Sequence, residues 1–311
     1  MAGTLPQALA GDTLEAIIQA YNDYLSPATP PYKPTPPPGY TSYVYRFFGW
    51  EGVDTNVMVK YGLIFQSSAD PGRFLVAFRG TQDDVEWLED FDWITTPFPG
   101  TATGVAQGFL DAYTQGPTTP SLPSMRDQLQ LWVAQTKPTS LIVTGHSLGG
   151  ALVSLFAYDL ALNHAIPATF VSYASPNVGT ADWQAAFNAA YPGAVRVFNT
   201  EDVVPYAPPD DVFGYLPVGS DWRVEFEPYF LWDRVDPVAL GTNHSSLNYQ
   251  HVVNLAVANT PPAYTGQFLD LSGLEGWLMG SWAPSAERGR LRLRALNAYL
   301  KGLKAIPQRL P

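Results

Sequence analysis

The stretch Ser140 to Leu160, "SLIVTGHSLGGALVSLFAYDL", constrains the fold more than any other part of the chain. Leu141-Ile-Val143 is an apolar run of strand length, and Ala151 to Leu160 keeps its apolar residues at helical spacing. Between them stands Ser147, with Gly145 and Gly149 two residues away on either side. A strand that turns directly into a helix leaves no room for side chains at those offsets, because the backbone doubles back and the helix packs close. The pattern predicts a sharp strand-to-helix turn that projects the serine hydroxyl from the end of a sheet, a nucleophile elbow. A helix cap is the plainer alternative use of Ser147.

The flanking chain reads as the rest of an α/β fold. Strands are predicted at 42–49, 56–67 and 73–79, with Asp70-Pro-Gly72 as a hairpin turn. Helices at about 104–115 and 122–136 precede the strand 140–144, the turn and a helix to about 162; strand 168–174, helix 180–190 and strand 194–199 follow. Alternating strands and helices predict a mostly parallel central sheet covered on both faces. Ahead of them, 12–24 reads as an amphipathic helix capped by Asp12, and "SPATPPYKPTPPPGY" as a stiff extended strap, with an SH3-type ligand as its alternative role. One domain is expected over 1–311: helix and strap to 41, a core at 42–258 and a C-terminal extension at 259–311.

Composition excludes several classes of function. The chain has no cysteine and its four histidines lack the paired spacing of a zinc site, so no disulfide, metal or other cofactor is expected. No apolar run is long enough for a transmembrane segment, and "MAGTLPQALAGDT" lacks the charged-then-apolar order of a signal peptide. A soluble, secreted protein whose signal is absent or removed is favoured over a cytoplasmic one; oligomeric state is not legible. Residues 1–286 carry 10 Lys and Arg against 27 Asp and Glu, an acidic body unsuited to general nucleic-acid binding. Residues 287–311 reverse this, with 7 against 1. There Leu293, Leu296, Leu300 and Leu303 line one face of a basic amphipathic helix, expected to dock on the acidic body, with an anionic lipid surface as the alternative.

A serine hydroxyl needs a base to take its proton and an acid to orient that base, and in elbow folds the chain order is Ser, Asp or Glu, then His. His244, in "GTNHSSLNYQHVVNLAV", precedes a helical pattern where a loop can bring the imidazole over the elbow. His251 lies inside that helix and reads as a packed residue; His146 is expected to point away from Ser147, and His164 to end the adjacent helix. Asp202, in "VRVFNTEDVVPYAPP", follows directly on a strand, at the carboxyl edge where α/β sites collect. Glu201, Asp210 and Asp211 are weaker candidates for the acid.

Four separated motifs, "LVAFRGT" (75–81), "VTGHSLGGAL" (143–152), "YASPNVG" (173–179) and "VFNTEDVVP" (197–205), with a looser fifth, "HSSLNY" (244–249), resemble the class 3 lipase family. The resemblance covers about 42–258 and implies an α/β-hydrolase fold with Ser147 as nucleophile, Asp202 as orienter and His244 as base. It also implies an oxyanion hole built from the amides of Thr81 and Leu148, where backbone N–H groups meet the charge developing on a carbonyl oxygen. Two positions depart from the family pattern: Asn177 stands where many members have Arg, and Ala106 where they have His.

The resemblance further places a lid in "QDDVEWLEDFDWITTPFPG", where Trp87 and Asp90 match a W-x-x-D pattern. Trp87, Phe91, Trp93 and Phe98 are candidates for contact with an acyl chain or an oil–water interface, or else ordinary core aromatics. The expected function is a cofactor-independent serine carboxylic ester hydrolase, a lipase acting on acylglycerols. A feruloyl, polyester or phospholipid esterase, or a catalytically silent lipid-binding homologue, are the alternatives.

Overall fold

The computed structural model describes residues 5–27, 31–50, 57–81, 92–117, 122–200, 202–208, 213–224 and 243–255. Seven strands form one sheet in the order β1 (Tyr40–Trp50), β2 (Met58–Ser67), β3 (Arg73–Phe78), β6 (Ser140–His146), β7 (Ala168–Tyr173), β8 (Val195–Asn199) and β9 (Ser220–Val224). The first three are antiparallel neighbours, and from β3 onward every pairing is parallel. A small antiparallel pair, β4 (Thr95–Pro97) and β5 (Gly104–Ala106), stands apart.

Strand side chains alternate between two buried faces. In β3, Phe74, Val76 and Phe78 join one cluster while Leu75 and Ala77 join the other, and Leu141 and Val143 are likewise separated from Ile142 in β6. Both faces are therefore apolar, which is why these strands read as continuous hydrophobic runs. The first face is covered by α2 (Gln107–Thr114), α3 (Met125–Thr136), α4 (Leu148–Asn163) and α5 (Ala181–Ala190). The second is covered by α1 (Gln7–Leu25) and α6 (Ser246–Leu255). Among the described residues no helix is long and apolar enough to cross a membrane.

Element types follow the sequence closely and boundaries less so. Helix α1 begins at Gln7 after Pro6, so Asp12 sits inside it rather than capping it; burial of Leu5 and Ala10 against the sheet extends the helix through Gly11. Residues 104–106 form β5 instead of opening a helix, because Val105 bridges Gly179 and pairs with Thr96. Helix α3 starts on a capping box between Ser124 and Asp127. The Pro-rich segment lies as a strap on α1: Gln19 Oε1 accepts from Tyr32 Oη and from the Thr35 amide, and Pro34 and Pro37 are buried. The basic helix expected near the C-terminus lies outside the described residues.

Candidate active site

The elbow is built as the glycine spacing requires. Ser147 joins β6 to α4 with φ 57° and ψ −131°, a backbone region that non-glycine residues rarely occupy and that costs on the order of 1–3 kcal/mol. Its amide donates to Tyr173 O at 3.0 Å, continuing the sheet, while its carbonyl accepts from Gly150 at 2.8 Å, starting the helix. A Cβ on Gly145 would lie 2.1 Å from the Gly149 carbonyl oxygen, and one on Gly149 would lie 2.4 Å from that of Arg79. Both glycines are therefore needed for the helix to start this close to the strand ends.

Asp202 and His244 meet across 42 residues. His244 Nδ1 and Asp202 Oδ2 are 2.7 Å apart, and both side chains are almost wholly buried. The turn after β8 shapes the acid: Asp202 N–H donates to Asn199 O at 3.1 Å, and Asp202 Oδ1 accepts from the Val204 amide at 3.0 Å. On the other side, Asn199 Nδ2 donates to the Asn243 carbonyl at 3.3 Å, holding the segment that presents His244. Of the weaker acid candidates, Glu201, Asp210 and Asp211 lie outside the described residues.

Two residues not foreseen as part of the site belong to it. Tyr249 is fully buried on α6 and donates to Asp202 Oδ2 at 2.9 Å, while its own oxygen accepts the Asn199 amide at 2.7 Å. Burial first, and then the Asp202 charge, push the Tyr249 phenol well above its usual range. The second is His146. It does not stand clear of the site; its ring centroid lies 4.8 Å from that of His244, and its Nδ1 is 2.9 Å from Tyr21 Oη. Burial, followed by the neighbouring His244, holds the His146 imidazole well below the ordinary histidine range, with a His244 backbone group pulling weakly the other way. Near neutral pH it is an uncharged ring beside His244.

The donors expected at an oxyanion hole lie at the start of one element and just past the end of another. Leu148 is the first residue of α4, so its N–H has no intrahelical acceptor. Thr81 follows β3 by three residues, and its hydroxyl oxygen is buried without a partner among the described residues. Gly80 brings these segments together, since a Cβ there would lie 2.7 Å from Ser147 Cβ and 2.8 Å from the His146 carbonyl oxygen.

His251 lies within α6 and His164 caps α4, where its ring bonds Gln130. Asn177 does structural work beside the acid: its amide donates to Ala207 O at 2.7 Å and its Nδ2 to Pro208 O at 3.1 Å, tying the loop after β7 to the turn that carries Asp202. Ala106 is buried, its amide bonded to Val178 O at 3.0 Å. Of the lid candidates, Trp87, Asp90 and Phe91 lie outside the described residues. Trp93 is partly buried with its ring edge-on to Phe109 at 5.7 Å, and Phe98 is a core residue against Tyr158 and Trp183 rather than an apolar surface. No group of three or more His, Asp or Glu able to hold a metal occurs among the described residues.

Comparison with known proteins converges on these segments. Residues 75–212 match the family profile Lipase (class 3). Phospholipase A1-II 7 of Oryza sativa subsp. indica is 34% identical over 215 residues, covering 58% of this chain and 50% of its own length. The chloroplastic phospholipase A(1) DAD1 of Arabidopsis thaliana is 28% identical over 231 residues, covering 60% and 51%. The chain thus spans about half the length of the curated relatives it matches. Among solved structures, a lipase from Rhizopus microsporus var. chinensis shares the fold with a TM-score of 0.54 at 24% identity, over 72% of this chain and 77% of that one. The triacylglyceride lipase of Rhizomucor miehei does so with a TM-score of 0.53 at 22% identity, over 71% and 82%. The fold is that of the α/β-hydrolases, and residues 75–212, which carry the end of the strand before Thr81, the elbow and Asp202, match the class 3 lipase family.

Proposed function

We propose that the chain is a serine hydrolase of lipid acyl esters that works through an acyl-enzyme on Ser147. His244 Nε2 takes the proton from Ser147 Oγ as the oxygen attacks the ester carbonyl carbon. Asp202 fixes the Nδ1–H tautomer and stabilises the imidazolium that forms. The amides of Leu148 and Thr81 receive the negative charge that builds on the carbonyl oxygen. Collapse of the tetrahedral intermediate expels the alcohol, which takes the proton from His244; a water activated by the same base then releases the fatty acid. The observation that carries this reading is the buried His244–Asp202 pair beside the strained turn at Ser147.

Within this class, glycerophospholipids are the favoured substrate. The relatives at 28–34% identity are named phospholipases A1, whereas the named lipases among the solved structures, at 22–24%, support the fold alone. The second reading, hydrolysis of triacylglycerols, rests on the expectation drawn from the family. Fatty acid release from phosphatidylcholine vesicles and from a triacylglycerol emulsion, by the wild type and Ser147→Ala, separates them. Faster release from phosphatidylcholine, abolished in Ser147→Ala, is expected. A preference for the emulsion moves the substrate to triacylglycerols. Inertness toward both, and toward p-nitrophenyl esters, overturns the hydrolase reading.

A further inference from the structure

Gly80 is held at both of its polar groups, and neither partner belongs to the triad. Its N–H donates to Tyr21 Oη at 2.9 Å, and its carbonyl accepts from Arg79 Nη1. In a planar trans peptide the carbonyl of one residue and the N–H of the next point in opposite directions. Fixing Gly80 C=O therefore fixes the Thr81 N–H, and fixing Gly80 N–H locks the peptide plane before it. Glycine has no side chain to restrain these planes, so without such bonds Gly80 has more backbone freedom than a residue with a Cβ would have.

Tyr21 is itself well anchored. It lies near the end of α1, within one turn of Asp23 and Tyr24. Asp23 is buried and takes both Arg46 Nε at 2.6 Å and Arg46 Nη2 at 2.7 Å, while its carbonyl accepts Lys60 Nζ at 2.7 Å. These bonds join α1 to β1 and β2. Arg79 closes the circuit: its Nε donates to Lys60 O at 2.7 Å, and its guanidinium lies 3.6 Å from the centre of the Tyr24 ring. From that base the Tyr21 hydroxyl reaches both Gly80 and His146, the residue preceding the nucleophile. A Cβ on Gly80 would sit 2.6 Å from Tyr21 Oη, so the contact is also tight.

We infer that Tyr21 is a positioning residue for the oxyanion hole: its hydroxyl pins Gly80 against the elbow, and with Arg79 it directs the Thr81 amide at the developing oxyanion. The inference rests on the ester hydrolase reading and assigns α1 a part in the reaction. Oxyanion donors act through preorganisation, so loosening one lowers turnover without changing how the substrate ground state binds.

The test compares Tyr21→Phe with Tyr32→Phe, which also removes a hydroxyl bonded to α1, at Gln19, but lies away from Gly80. Turnover of a soluble p-nitrophenyl ester, affinity for a trifluoromethyl ketone that forms a hemiketal, melting temperature and exchange of the Gly80 amide in 15N-glycine-labelled protein are measured for each. In Tyr21→Phe we expect kcat to fall about tenfold, less than the roughly 100-fold or more of losing a donor outright. KM should stay within about twofold, ketone affinity should fall in parallel with kcat, and Gly80 exchange should quicken at least about tenfold. Tyr32→Phe should match the wild type in all four. Wild-type kcat in Tyr21→Phe overturns the inference, as do equal losses in the two variants accompanied by lowered melting temperatures. A wild type inert to every ester defeats the hydrolase reading instead; unchanged Gly80 exchange in Tyr21→Phe then separately overturns the clamp.

Discussion

Tyr249 Oη donates to the same carboxylate oxygen of Asp202 that faces His244 Nδ1, at 2.9 Å and 2.7 Å respectively. The phenol is held by the Asn199 amide, so strand β8, the acid and helix α6 are joined at one oxygen. Removing the hydroxyl in Tyr249→Phe leaves a buried N–H without its acceptor and frees the carboxylate to turn. A stability loss of about 1–3 kcal/mol is expected, with kcat reduced several-fold. Urea unfolding and initial rates check both; a variant unchanged in each shows that the hydroxyl has no positioning role.

Asp202→Asn tests the acid. An amide at this position can present an N–H to Nδ1 and impose the wrong tautomer on His244, which in a Ser-His-Asp arrangement lowers kcat by about 10,000-fold. The double variant Asp202→Asn, Ser147→Ala should be hardly worse than Ser147→Ala alone, because residues that act as a unit fail together. Independent, multiplying losses in steady-state rates on a p-nitrophenyl ester would place the acid elsewhere.

Gly145→Ala and Gly193→Ala form a steric contrast. The first puts a methyl 2.1 Å from the Gly149 carbonyl oxygen, whereas the second meets nothing within 4 Å. Overpacking of this kind typically costs about 1–3 kcal/mol, and here it also moves the turn that carries Ser147. Gly193→Ala should be neutral or stabilise by up to about 1 kcal/mol through the unfolded chain. Denaturation midpoints decide; equal stability of the two variants contradicts the tight approach of α4 to β6.

His146 carries a pH signature. Its pKa lies well below the ordinary value of 6.5, chiefly through burial, so the unfolded chain binds more protons than the folded one between 6.5 and the lower folded value. Stability should therefore be fully present above 6.5 and fall as the pH drops through that window. The limiting slope for one group is about 1.4 kcal/mol per pH unit. His146→Gln should flatten this acid limb in urea titrations between about pH 5 and about pH 7.5. An undiminished slope assigns the acid sensitivity to other groups.

The parts legible in the sequence are those whose cause is local. Gly145 and Gly149 act on the residues beside them, and the apolar runs of β3 and β6 reflect burial on both faces. The placement of Asp202 at the carboxyl edge of the sheet is legible because it closely follows a strand. Tyr249 and Tyr21 are not, since a tyrosine on an amphipathic helix looks alike whether it fills a core or reaches a polar atom 47 or 125 residues away. The contacts of His146 are equally long-range: α1 and the His244 segment, distant in the chain, fold against its ring, so sequence alone gives no sign of them. Strand β9, "SDWRV", alternates too briefly to stand out and is a strand through its pairing with β8.

A Ser147 activated through His244 and Asp202 should react covalently with an electrophilic phosphorus reagent. The wild-type protein and His244→Ala are treated with a fluorophosphonate, and the adduct is located by intact mass and peptide mapping. One adduct per chain is expected, on Ser147, formed in the wild type and slowed by orders of magnitude in His244→Ala. An unlabelled wild type, an adduct on another residue, or equal labelling in both proteins would contradict it.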